Sequence, residues 1–190
     1  MAVLNEEQTM IRDGAKSWVQ EKSPVTAFRK LRDSGNADGF DRAAWKEMAE
    51  MGWAGILIPE DFGGVGLGYL TLGLVLEETG RTLTASPLIS TALTATTALL
   101  LAGSDAQKKK YLPAIAEGKL IATLAVDEGP HHAPEKIALG GGFVGNGKVK
   151  LNGKKTFVLD GGTADLVIVA ARTSGKPGDK SGITLVLVDG

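Results

Sequence analysis

Gly118-Lys119-Leu120-Ile121-Ala122-Thr123-Leu124-Ala125-Val126 is the stretch across which the chain changes its period. Before it, apolar residues recur at helical spacing. From Leu120 onward they come in short, β-branched-rich runs separated by turn chemistry. The runs are Leu120 to Val126, Lys148 to Leu151, Lys155 to Leu159, Leu166 to Ala170 and Ile183 to Val188. Asn146-Gly147 and Asn152-Gly153 are dipeptides that two-residue hairpins favour, because both residue types accept a positive φ cheaply. The rear of the chain therefore reads as antiparallel β, with Thr173 to Ser181 a polar loop between strands.

Upstream the signals are helical. Asn5 with Gln8 three positions on predicts a capping box, and Ile11, Ala15, Trp18 and Val19 then share one face. Pro24 closes that helix and opens another with Val25, Phe28 and Leu31 on one side, ended by Ser34-Gly35. Asp41 caps a third, with Trp45, Met48 and Ala49 as its apolar side and Gly52 at its end. Ile56 to Pro59, followed by Gly63, Gly64, Gly66 and Gly68, cannot be regular helix, since proline breaks it and glycine weakens it. Tyr69 to Thr79 and Leu88 to Leu101 predict two largely apolar helices. Ser104 with Gln107 starts a last one lined by Tyr111, Leu112 and Ile115.

Helices first and strands second exclude a doubly wound nucleotide fold, which needs the two to alternate. The expected class is α+β: an all-helical domain over residues 1–118, then an incomplete antiparallel β-domain over residues 119–190. About five strands with open edges lead to the expectation of a chain that has been cut, or of a sheet completed by residues other than these.

Composition narrows the function classes. A formal charge of −1, from 21 basic and 22 acidic residues mixed along the chain, leaves no electrostatic footprint for nucleic acid or for an anionic membrane. No cysteine is present, which removes disulfides, thiolate catalysis and thiolate-bound metals. The N-terminus lacks the basic start and apolar run of a secretory signal, so the expected location is cytoplasmic. Leu88 to Leu101 is too short and too rich in Ser and Thr to span a bilayer, which takes roughly 20 apolar residues, and reads as a buried helix.

Two nucleotide-loop patterns occur. Gly140, Gly142 and Gly145 fit G-x-G-x-x-G, and Gly142, Gly147 and Lys148 nearly fit a phosphate loop, with Val149 where a hydroxyl residue is required. Both patterns need a helix immediately afterwards to present its N-terminal amides. A hairpin signal follows instead, so these read as turn glycines. His131 and His132 point in different directions on any regular element, and no metal-ligand spacing surrounds them, so no metal is expected. Glu77-Glu78 reads as helix surface and Asp127-Glu128 as strand-end polarity, because adjacency in sequence does not make an acid/base pair. From the residues alone, binding and catalysis are not separated.

Gly52-Trp53-Ala54-Gly55-Ile56-Leu57-Ile58-Pro59-Glu60-Asp61-Phe62-Gly63-Gly64-Val65-Gly66 resembles a signature of the acyl-CoA dehydrogenase family. Three further pieces fall in that family's order: Glu77-Glu78 with Gly80; Gly103, Gln107 and Tyr111-Leu112-Pro113 before Gly118; and Leu151-Asn152-Gly153-Lys154-Lys155 with Ala164-Asp165 and Ala170-Ala171-Arg172. The resemblance implies a helical domain, a middle β-domain and a further four-helix domain in a longer chain that forms homo- or hetero-oligomers. It implies oxidation of an acyl-CoA thioester to the trans-2-enoyl-CoA using FAD, with electron-transfer flavoprotein as acceptor. The glutamate base of such enzymes belongs to the further domain, so no residue here is expected to be catalytic.

The same resemblance assigns cofactor contacts to Leu124, Val126, Asp127, Phe157 and Leu159, and a substrate contact to Ala133. Four of these depart from the family pattern, among them Phe157, which stands where the family's Trp-x-Thr segment has its tryptophan but still offers an aromatic wall. Asp127 stands where a threonine commonly meets the flavin pyrimidine, Leu159 where a threonine sits near N5, and Ala133 where a serine often touches the acyl-CoA. A carboxylate at the pyrimidine edge opposes the negative charge of reduced flavin, and leucine donates no hydrogen bond. The departures predict an FAD site that is weakened, altered or lost. They motivate an alternative, a non-catalytic partner resembling the paired-subunit assemblies that handle steroid or other bulky CoA thioesters in actinobacteria. A third reading is an interaction module with no chemistry.

Overall fold

The computed structural model describes residues 3–190, which fold as two compact units divided between Ile121 and Ala122. The first is helical. Helices α1 (Glu6–Lys22), α2 (Val25–Asp33), α3 (Arg42–Glu50), α4 (Gly68–Arg81), α5 (Thr96–Ala102) and α6 (Asp105–Ala116) follow one another in chain order. Both expected capping boxes form: Asn5 with Gln8 opens α1, and Ser104 with Gln107 opens α6. The Asp41 carboxylate accepts from the backbone N–H groups of Ala43 and Ala44 to start α3. Each satisfies donors that a bare helix end leaves unpaired.

Tryptophans organise this core. Trp18 and Trp53 meet edge to face at 5.4 Å, and Trp18 donates to Glu47 at 2.9 Å. Trp45 is buried and donates to the carbonyl of Gly118 at 2.9 Å, anchoring the end of α6 to α3. Between α3 and α4 the glycine-rich stretch folds back on itself: Val65 N–H reaches the Gly55 carbonyl, Gly66 the Ile58 carbonyl and Leu67 the Ile56 carbonyl. These bonds keep Ile56, Leu57 and Ile58 buried without a helix. Gly64 makes the fold-back possible, since a Cβ there would run into the carbonyl oxygen and Cβ of Ile58.

Leu88 to Leu101 is helical and largely buried, but not one α-helix. Leu88–Ala95 is a π-helix that passes into α5 at Thr96. The buried hydroxyl of Thr96 donates to the carbonyl of Thr91 at 2.8 Å, and Thr94 donates to Ser90 at 2.7 Å, so hydroxyls compete for carbonyls along the wider turn. Glu78 is a second surprise. It is buried on α4 and paired with Arg81 at 3.2 Å, whereas Glu77 lies on the helix surface as expected.

The second unit holds β1 (Ala122–Ala125), β2 (Gly140–Gly145), β3 (Lys148–Asn152), β4 (Leu166–Arg172) and β5 (Ile183–Asp189) in one sheet. The helices-then-strands α+β order stands, but the sheet is mixed rather than antiparallel. β2 pairs β3 and β4 pairs β5 antiparallel, while β1 lies parallel to β4 over Ala122–Ala125 and Leu166–Val169. A parallel neighbour needs a long crossover, and residues 126–165 supply it. The β2–β3 hairpin within that crossover meets β4 at one parallel position, Gly140 opposite Arg172.

Three local expectations change. Gly140, Gly142 and Gly145 belong to strand β2 rather than to turns, with a register shift between Phe143 and Gly145. Asn146-Gly147 does close a hairpin, with φ of 51° and 70°. Asn152-Gly153 does not, and Lys155 to Leu159 is no strand, because Phe157 and Asp160 take φ of 53° and 52° and break the extended run. Ala125, Leu139, Val169 and Ala171 form the core of this unit, with Leu151, Val158, Val167 and Val186 packed around it.

Candidate functional site

Strand alternation decides which β1 side chains are available. Thr123 and Ala125 are buried, so Leu124 and Val126 turn to the opposite face, where both are half-buried. The irregular segment 155–159 is tied along the exit of this strand by three hydrogen bonds. Thr123 Oγ1 donates to the Leu159 carbonyl at 2.7 Å, Thr156 N–H to the Asp127 carbonyl at 2.8 Å, and Lys155 Nζ to the Val126 carbonyl at 2.9 Å. Segments roughly thirty residues apart in sequence are thereby joined, and Leu124, Val126, Asp127, Phe157 and Leu159 fall on the two strips so bound. Phe157 is 78% exposed and Leu159 56%, an uncommon exposure for large apolar side chains. Phe157 also holds a positive φ, which is costly for an aromatic residue.

Glu128 locks the arrangement. One carboxylate oxygen accepts from Lys155 Nζ at 2.7 Å and from Leu139 N–H at 3.0 Å, and the other from Ala138 N–H at 2.8 Å. The pair is sheltered, with Lys155 7% and Glu128 21% exposed. Burial by itself raises the Glu128 carboxyl, but the bonds from Lys155 and the two backbone N–H groups outweigh it and hold the group below the ordinary glutamate value. Strand-end polarity understates this residue. It fastens the end of β1 to the start of β2 and to segment 155–159.

Asp127 turns elsewhere. Its Oδ1 lies 2.9 Å from His132 Nδ1, bridging the base of the loop that carries Gly129 to Ala133. His131, one residue earlier, instead lines a cavity of about 290 Å³ together with Val126, Glu128, Ala133, Lys136 and Ile137. The candidate substrate residue Ala133 therefore shares a cavity with Val126, which Leu124, Phe157 and Leu159 do not line. Among the described residues no group of His, Asp or Glu is placed to hold a metal ion, and no helix is long and apolar enough to cross a membrane.

Arg172 supports the site from behind. Its buried guanidinium donates to the carbonyls of Ile137, Glu135, Asp179 and Ser181, at 3.1, 2.8, 3.2 and 2.6 Å. It thus fixes the cavity loop and the loop between β4 and β5 at once. Lys155, Thr156, His132 and Arg172 were not among the expected site residues. Lys155 and Arg172 do stand inside the quoted family motifs, the one sequence signal that pointed to them.

Residues 5–119 match the family model for the acyl-CoA dehydrogenase N-terminal domain. The chain is 34% identical over 195 residues to mitochondrial isovaleryl-CoA dehydrogenase of Pongo abelii, covering 98% of this chain and 44% of that protein. It is 30% identical over 190 residues to an acyl-CoA dehydrogenase of Bacillus subtilis, covering 98% and 48%. Among solved structures it is similar to the ChsE4-ChsE5 complex from Mycobacterium tuberculosis, with a TM-score of 0.83 and 26% identity over all of this chain and 49% of that one. The chain spans about half the length of the curated relatives it matches. A helical unit of this order, the glycine-rich fold-back at Gly52–Gly66 and the family match over residues 5–119 lead to one conclusion: the chain belongs to the acyl-CoA dehydrogenase family.

Proposed function

We propose that this chain contributes the helical and β portions of an FAD-dependent acyl-CoA dehydrogenase that converts an acyl-CoA thioester to its trans-2-enoyl-CoA. The observation that carries the reading is the junction of β1 with segment 155–159, which ranges Leu124, Val126, Asp127, Phe157 and Leu159 along two bonded strips. Exposed Phe157 and Leu159 suit the flat, apolar face of a flavin ring, with Leu124 and Val126 as walls. The Asp127 carboxylate is held by His132 rather than left unpaired, but as an anion it still opposes the negative charge of reduced flavin. Leu159 offers no side-chain donor, and its carbonyl is already engaged by Thr123. The residues thus fit as a stacking platform, with little directed hydrogen bonding from side chains.

When bound, FAD supplies the hydride acceptor. The protein's own part here is to shield and orient: apolar side chains exclude water, and Glu128, Lys155 and Arg172 keep the platform and cavity rigid. The α-proton is removed by a base outside residues 1–190, and electron-transfer flavoprotein collects the electrons. The test is purification of the whole protein, followed by its flavin spectrum and acyl-CoA oxidation with an artificial electron acceptor. A flavin-bearing protein that forms enoyl-CoA is expected; a flavin-free protein with no turnover sinks the reading.

A second reading, a partner subunit in a heteromeric acyl-CoA dehydrogenase, draws on Asp127 and Leu159 standing where family members carry hydroxyls. Similarity to a two-component complex favours the same reading. Co-purification with a neighbouring homologue, with flavin only in the joint assembly, separates it from the first.

A further inference from the structure

Three hydroxyls near the end of α1 form a chain with a direction. Thr84 Oγ1 donates to Ser23 Oγ at 2.9 Å, so in the 2.8 Å contact between Thr82 Oγ1 and Thr84 Oγ1 the donor is Thr82. Each hydroxyl has one proton to give, and both threonine protons are thereby spent. The Ser23 proton remains, and among the described residues nothing accepts it. Ser23 is only 8% exposed, so bulk water does not stand in. A buried donor without an acceptor is costly, and native folds seldom leave one.

Ser23 lines a cavity of about 300 Å³ that lies within the helical unit. Ala27, Phe28 and Leu31 of α2, Ala44 of α3 and Ala85 supply its apolar walls. The space follows from the sequence of α2. Val25, Phe28 and Leu31 share one side of that helix, yet none of its residues is fully buried, so the apolar side covers a hollow instead of filling a core. Most other polar groups of the lining are already engaged. Ser34 donates to the Leu31 carbonyl at 2.7 Å, the Asp41 carboxylate accepts from Ala43 and Ala44, and Lys22 pairs with Glu21 in solvent. Lys30 is exposed. A water held inside needs about two to four polar partners, and such walls supply little beyond Ser23.

We propose that this cavity binds a small, uncharged, mostly apolar molecule with one carbonyl oxygen. The oxygen accepts the Ser23 proton, and the hydrocarbon part lies against Phe28, Leu31 and the three alanines. No candidate flavin or thioester residue lines this cavity, so the site is independent of the function proposed above.

The probes are cyclohexanone and methylenecyclohexane, which match in shape and differ in the carbonyl oxygen, each measured by equilibrium dialysis against the whole protein. The natural protein is compared with Ser23→Ala and with Ala27→Phe, whose ring fills the space. Ser23→Ala is expected to weaken cyclohexanone binding about fivefold, the worth of one net hydrogen bond, and to leave methylenecyclohexane within twofold of the natural protein. Ala27→Phe should weaken both probes at least about tenfold, as loss of the cavity requires. Should Ser23→Ala fail to fold, Ser23→Cys, a weaker donor of similar shape, is read in its place, with the same loss expected. Cyclohexanone affinity unchanged by the Ser23 substitution overturns the proposal, as does natural affinity for both probes in Ala27→Phe, which seats them elsewhere. A natural protein that takes up neither probe, leaving the cavity to water, overturns it too. None of these outcomes bears on the flavin or thioester reading.

Discussion

Glu128 and Lys155 meet at 2.7 Å, 27 residues apart in sequence, and their ion pair closes the end of β1 onto segment 155–159. Removing one member leaves the other charge sheltered without a counterpart, the costly way to break such a pair. Lys155→Met is expected to destabilise the protein by about 3 kcal/mol in urea unfolding. A loss below about 0.5 kcal/mol, the usual effect of a neutral surface change, is the result that contradicts it.

The same carboxylate gives the protein an acid limb. Its folded-state value lies below the ordinary glutamate value of 4.5, so folding holds the proton less tightly than the unfolded chain does. The stability it contributes is complete above that ordinary value and is lost as pH falls through the lower folded-state value. Unfolding free energy measured from pH 6 down to about pH 3 should fall less steeply in Glu128→Gln than in the natural protein.

Arg172 makes a different kind of hub, since its partners are four backbone carbonyls rather than an acid. Lysine cannot reproduce the planar fork, so Arg172→Lys is expected to cost about 2 kcal/mol, read as a lowered Tm. Recovery of the full Tm by lysine would show that charge alone, not geometry, is what the loops require.

Phe157 joins backbone strain to the proposed flavin platform. Its φ of 53° costs about 1 kcal/mol, which glycine would relieve in part. Phe157→Gly is expected to leave stability unchanged or slightly raised, while flavin affinity falls about tenfold through loss of the aromatic face. Flavin retention by that variant at natural affinity would remove Phe157 from the platform.

Gly64 tests the fold-back of the family signature. The Cβ of Gly64→Ala collides with backbone atoms of Ile58, which cannot swing away as a side-chain tip would. A loss of about 2 kcal/mol in urea unfolding is expected, within the range for overpacking.

What sequence reading captured and missed has a common cause. Asn5 with Gln8, Ser104 with Gln107 and Asn146-Gly147 are local devices whose partners lie within a few residues, so their chemistry is written in adjacent letters. The parallel pairing of β1 with β4 was not legible, because nothing in Leu166 to Ala170 distinguishes a parallel neighbour from an antiparallel one. Phe157, Val158 and Leu159 suggest a strand by propensity, yet bonds from Thr156 to Asp127 and from Thr123 to Leu159 override it. Arg172 escaped for another reason: its acceptors are main-chain oxygens 35 and 37 residues before it and 7 and 9 after it, and a carbonyl leaves no mark on the identity of its residue. The candidate cofactor residues came from resemblance, since the exposed aromatic at Phe157 carries no spacing that composition or period would single out.

The β2–β3 hairpin pairs with β4 only where Gly140 faces Arg172, while its two strands satisfy each other from Gly140 to Asn152. Such an appendage is a natural splice point. A foreign hairpin of matching length exchanged for residues 142–150 would keep that single bridge and leave Leu151 in the core, giving a site for an affinity handle or a fluorophore.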